Sequence, residues 1–126
     1  MRLVTFRKGA SRPRVGALVA DAILDLGGLA ADLAKERNTV RRGRGFPKTM
    51  HDLIAAGPDA LAVAREALAH GEVLLKRDGI ASLTERRLGV ATDRARLEAP
   101  IPRPARNVFC LGRNYTLLSL HDALPI

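Results

Sequence analysis

The chain has 126 residues, enough for one domain with a modest core, and a formal net charge of +8. Its apolar fraction of 47% is ordinary for a globular protein, but aromatics are confined to Phe6, Phe46, Phe109 and Tyr115, so the core must be built from Leu, Val, Ile and Ala. One cysteine, Cys110, excludes an internal disulfide framework and a Cys-based zinc cluster.

The basic residues run from Arg2 to Arg113 instead of gathering on one element. Their densest cluster, Arg41-Arg42-Gly43-Arg44, falls in a glycine-containing loop with only Phe46 nearby as a stacking platform. Scattered surface arginines are therefore expected, with neither nucleic acid nor membrane as a partner. A stand-alone basic module that binds nucleic acid or an acidic protein is the rival reading that the charge allows. The most apolar stretch, Val15 to Ala34, is interrupted by Asp21, Asp25 and Asp32 and is not a membrane span. Met1 to Lys8 lacks the apolar run of a signal peptide, so a soluble, cytoplasmic protein is expected.

Arg2 to Arg7 alternates and is rich in strand formers. Lys8 to Pro13 reads as a turn, Val15 to Val19 as a second strand, Ala20-Asp21 as a tight turn and Ala22 to Leu26 as a third strand. Three short strands joined by short turns predict an antiparallel meander. The period then changes: Gly27-Gly28 marks a helix entry, followed by Leu29 and Leu33 at helical spacing. Arg37 to Pro47 is a polar loop. Thr49 is an N-cap for a helix through Ala56, with Asp52 in a capping-box position. Gly57 ends that helix, Pro58 and Asp59 open another with Leu61, Ala64 and Leu68 on one face, and Gly71 is expected to stop it. Val73 to Leu75 fits a helix or a strand, and Leu83 to Val90 and Ala95 to Leu97 hold short-strand candidates. The fold class expected is α+β: a small antiparallel meander with short helices, then a Pro-rich linker and the first strand of a mainly-β domain.

That linker is residues 99–106, where Pro100, Pro102 and Pro104 alternate and force an extended, stiff path. Asn107 to Leu111 follows as a compact strand candidate, ending in Gly112-Arg113-Asn114-Tyr115. A fork-shaped cation, an amide and a phenol at a strand end suit a carboxylate-bearing substrate, because Arg grips a carboxylate bidentately while Asn and Tyr fix its orientation.

Other signals are weaker. Gly43 to Thr49 echoes a phosphate loop, but Pro47 precedes Lys48-Thr49 where glycine is required, so a loop before a helix is expected. His51 and His70 lie on helices without partners at metal-ligand spacing and are expected to be solvated or capping. Cys110, in a strand and without a His at a motif spacing, is expected to be a small core hydrophobe and not a nucleophile. Arg65-Glu66 reads as a solvated helix face.

Several stretches together carry a resemblance: Met1 to Arg7, Arg14 to Val19, Ile23 to Leu26, Phe46-Pro47 to Gly57 with Met50, Leu53 and Ile54, Leu97 to Pro104, and Gly112 to Tyr115. The composite resembles the fumarylacetoacetate hydrolase superfamily over residues 1–115. It implies an N-terminal domain at 1–98, a linker at 99–106 and the start of a catalytic domain at 107–115. It also implies that Arg113, Asn114 and Tyr115 bind substrate. The parent would be a homodimeric, Mg²⁺- or Mn²⁺-dependent hydrolase, decarboxylase or isomerase of 2-oxo or β-diketo acids. Its cation, held by two nearby Glu and a later Asp, would stabilise an enolate-like state while a His–Glu pair handles water and protons.

The resemblance places that His at 118 and the Glu at 121, where this chain has Leu118 and His121. No catalytic residue and no bound metal are therefore expected in the 126 residues, which should be inactive on their own. Leu118 to Ile126 resembles a translated sequencing-adapter oligonucleotide, and residues 116–126 are expected to be a non-native tail.

Overall fold

The computed structural model describes residues 1–39, 45–106 and 109–110. It is α+β, with five antiparallel strands in a curled sheet and three helices. The strands are β1 (Leu3–Arg7), β2 (Arg14–Val19), β3 (Ala22–Asp25), β4 (Gly89–Ala91) and β5 (Arg96–Glu98), in the order β4-β3-β2-β1-β5. The helices are α1 (Leu26–Glu36), α2 (Met50–Ala56) and α3 (Pro58–Glu85).

The meander follows the expected turns. Val19 pairs with Ala22, leaving Ala20-Asp21 as a two-residue hairpin loop, with Ala20 at φ 50°. Period-two alternation sends Val15, Ala17 and Leu24 to the face covered by α1 and α3, where they pack with Leu26, Leu29, Ala64, Ala67, Leu74 and Leu83. The opposite face carries a smaller cluster of Phe6, Ile23 and Val90, flanked by Val4, Leu18 and Ala95. Curling brings that second face in on itself over Gly16: a Cβ there would stand 2.8 Å from both Ile23 and Phe6, and 2.9 Å from the Leu24 carbonyl. Only a residue without a side chain fits beneath these two.

The third strand ends one residue earlier than expected. The Asp25 side chain accepts the Gly28 N–H at 3.1 Å, and that cap starts α1 at Leu26. Thr49 caps α2 as expected, its hydroxyl accepting the Asp52 N–H at 3.1 Å. Gly57, at φ 79°, closes α2 and opens α3 ahead of Pro58.

The expectation that Gly71 stops the third helix is overturned. α3 runs 28 residues, through Gly71 and on to Glu85, with one non-helical residue at Gly79 (φ 80°, ψ 168°). Gly71 is instead buried where α3 crosses α1. A Cβ at Gly71 would lie 2.5 Å from Leu29 Cδ1 and 3.0 Å from Leu24 Cδ1. The glycine is there for close approach of two helices, not as a C-cap. Helix also replaces strand at residues 83–85, and the strand candidate in that region begins only at Gly89.

β5 pairs with β1 in the register Thr5↔Glu98, Phe6↔Leu97 and Arg7↔Arg96, so residues 96–98 return to the first strand. Residues 99–106 form neither helix nor strand. Their start is fastened to the sheet: the buried Thr5 hydroxyl donates to the Pro100 carbonyl at 2.7 Å, and Ile101 packs against the main core. Of the strand expected over Asn107–Leu111, Phe109 and Cys110 are described; both are exposed and in no strand. The expected small core hydrophobe at Cys110 is thus an exposed free thiol. Neither residue pairs with a strand among the described residues. No helix among the described residues is long and apolar enough to cross a membrane.

Candidate functional site

The residues expected to contact substrate, Arg113, Asn114 and Tyr115, lie outside the described residues, as do Leu118 and His121. The chemistry-bearing side chains that the fold does bring together belong to α1 and α3. Asp32 and Glu36 are four residues apart on α1 and share a face. His70 lies on α3 beside Gly71, and the close helix crossing at that glycine carries its ring onto the next turn of α1.

His70 Nε2 is 2.9 Å from Asp32 Oδ2, and His70 Nδ1 is 3.8 Å from Glu36 Oε2. The ring is nearly closed off, with its side chain 10% exposed; Asp32 is 23% exposed and Glu36 53%. The expectation of a solvated or capping His70 is therefore corrected: its partners are thirty-odd residues away in sequence and adjacent only once α1 and α3 pack. His51, by contrast, is exposed on α2.

Arginine shares the Asp32 carboxylate with His70. Arg86 NH2 sits 3.3 Å from both Asp32 oxygens, and its NH1 is 3.5 Å from Asp78 Oδ2. Arg77 holds Asp78 through two hydrogen bonds of 3.1 Å, which keep that carboxyl below its ordinary value. The group is a mixed nitrogen and oxygen donor set at a helix–helix seam. Farther along the same seam, Arg37 pairs with Glu66 at 3.0 Å, both well exposed, in keeping with a solvated face at 65–66.

A second carboxylate lies at the other end of α1. Asp25 is buried, accepts the Gly28 N–H and pairs with Arg14 at 3.0 Å. Burial raises its pKa, against the opposing pull of the Gly28 N–H and of the Arg14 guanidinium. Its partners are all used in starting the helix and tying it to β2, which marks it as structural. An open groove of about 910 Å³ runs beside the start of α3, lined by Phe46, Lys48, Asp52 and Val63 among others. Its charged lining residues are Lys48, Asp52 and Asp59, and no hydrogen bond or ion pair joins their side chains among the described residues. Lys48 is exposed and Thr49 is committed to its cap, as the reading of a loop before a helix requires.

The i, i+4 spacing of Asp32 and Glu36 was visible in the sequence, but nothing local pointed to His70 or Arg86 as their partners. No protein-family model matches this chain, and a search of curated proteins finds no match either.

Proposed function

We propose that residues 1–98 are the N-terminal domain of an enzyme of the fumarylacetoacetate hydrolase superfamily, joined by 99–106 to a catalytic domain that begins at 107. The observation that carries this reading is the Gly112-Arg113-Asn114-Tyr115 motif, directly after the proline-rich linker. Support also comes from the architecture ahead of it: β5 ends at Glu98 after closing the sheet onto β1, and the linker leaves from that point.

The intact parent is a cytoplasmic homodimer that hydrolyses, decarboxylates or isomerises a 2-oxo or β-diketo acid. Arg113 holds the substrate carboxylate, and Asn114 and Tyr115 orient the oxo group. A Mg²⁺ or Mn²⁺ ion held by carboxylates beyond Tyr115 polarises the oxo-acid oxygens. The His–Glu pair that would manage water and protons is not supplied by Leu118 and His121, so the 126-residue chain is inactive.

The test is to read the source DNA downstream of codon 115 and assay the full reading frame on acylpyruvates with Mg²⁺ or Mn²⁺. The expected result is a His at 118, a Glu at 121 and metal-dependent turnover that the 126-residue chain lacks. Source DNA that encodes Leu118 to Ile126 unchanged, or metal-dependent turnover by the 126-residue chain itself, overturns the reading.

A further inference from the structure

We propose that Asp32, Glu36 and His70 form a binding site for a borderline divalent cation of the Zn²⁺ class at the crossing of α1 and α3. It does not rest on the enzyme reading above. Its donors are distinct from the carboxylates that reading assigns to Mg²⁺ or Mn²⁺.

One donor atom from each residue lies within 4.8 Å of the others. Two of the three are already spaced as neighbours on one ion: Asp32 Oδ2 and His70 Nε2 are 2.9 Å apart. Zinc bonds of about 2.0–2.2 Å put adjacent ligands roughly 3.3 Å apart, so this pair has only to open slightly. Both stems are held by the helix seam, since His70 and Asp32 are mostly enclosed. Glu36 is the adjustable member: its Oε2 now faces the other ring nitrogen, Nδ1, at 3.8 Å, and as the half-exposed last residue of α1 it must turn its carboxylate toward the Nε2 side to complete the site.

The surrounding charges are compatible with a cation. Arg86 NH2 lies 3.3 Å from both Asp32 oxygens, so Oδ2 is shared between it and His70; with Oδ1 and Asp78 as its other partners, Arg86 stays paired when Oδ2 turns to an ion. Three carboxylates (Asp32, Glu36 and Asp78) stand against two guanidinium groups (Arg77 and Arg86), a net charge of one negative when the imidazole is neutral, as a metal ligand must be. One imidazole nitrogen with two carboxylate oxygens favours Zn²⁺ over Mg²⁺ or Ca²⁺, which prefer all-oxygen shells.

The test is calorimetric titration of Zn²⁺ into the untagged full chain, carrying Cys110→Ser because the exposed thiol is itself a zinc ligand. The expected result is saturable uptake of one ion per chain, weakened at least about tenfold by His70→Gln and by Glu36→Gln, and unchanged by His51→Gln. Glu36 is exposed at a helix end, so its variant folds whatever His70→Gln does. Absence of saturable one-ion uptake, equal affinity in Glu36→Gln and the parent, or loss of binding in His51→Gln overturns the site.

Discussion

Asp25, the N-cap of α1, and Asp32, seven residues on within it, do different work. Asp25 sits at the start of α1, where its partners are the backbone three residues ahead and Arg14 on the adjoining strand. Asp32 sits mid-helix, where its partners are His70 and Arg86 on and just after α3. The first is buried and saturated by neighbours, so its charge is an expense that the cap and Arg14 only partly offset. The second is half-buried and shared among cations from another helix, which leaves it both a clamp and a donor. The contrast teaches that a buried carboxylate closed by its own helix start and the adjoining strand is structural, whereas a partly exposed one completed by a distant helix can exchange partners.

The largest expected effect comes from breaking the crossing on which the Asp32 cluster depends. Gly71→Val places side-chain atoms where Leu29 already stands, and overpacking there should cost about 1–3 kcal/mol in urea unfolding. A Gly71→Val chain as stable as the parent would mean that α1 and α3 separate freely, and the clamp would not be a clamp.

A smaller effect is expected at Asp25. Asp25→Ala removes the cap and should cost about 1 kcal/mol. Its pH dependence has a definite sign. The folded state holds the Asp25 proton more tightly than the unfolded chain, so stability falls as pH rises from 3.8 through the raised folded value, then levels off. Asp25→Asn keeps a capping oxygen and should flatten that fall. An unfolding series in which Asp25→Asn retains the parent's slope would place the titrating group elsewhere.

The smallest effect belongs to the clamp itself. Arg86→Gln removes a partly exposed guanidinium from Asp32 and should cost no more than about 1 kcal/mol, fading at high salt. A larger, salt-insensitive loss would show that the Asp32 cluster behaves like the buried Asp25 site, and the distinction between them would fail.

How much of this was legible beforehand varies along the chain. The meander, the Thr49 cap and the Gly57-Pro58 punctuation could be read directly, because each rests on neighbours in sequence: alternation for strands, a hydroxyl three residues from an amide for a cap. The cap at Asp25 was not read: the strand was expected to run to Leu26 with the helix entered at Gly27-Gly28, because an Asp at the end of an apolar run serves equally as a strand end. The candidate cation site was not read from the sequence: the Asp32–Glu36 spacing is its one local trace, and surface acids four residues apart are too common on helices to single out. Arg113, Asn114 and Tyr115 stood out by residue type alone, and their placement lies outside the described residues.

The sequence by itself determined the α+β class, the order of the first three strands and the starts of α2 and α3, because hydrophobic period and cap chemistry are short-range. Only the tertiary structure decided that α3 continues through Gly71 and that His70 and Arg86 meet Asp32. A glycine that ends a helix and one that lets two helices touch are the same residue in the same local context. The choice is made by Leu29, forty-two residues earlier in the chain, whose side chain fills the space a Cβ would need.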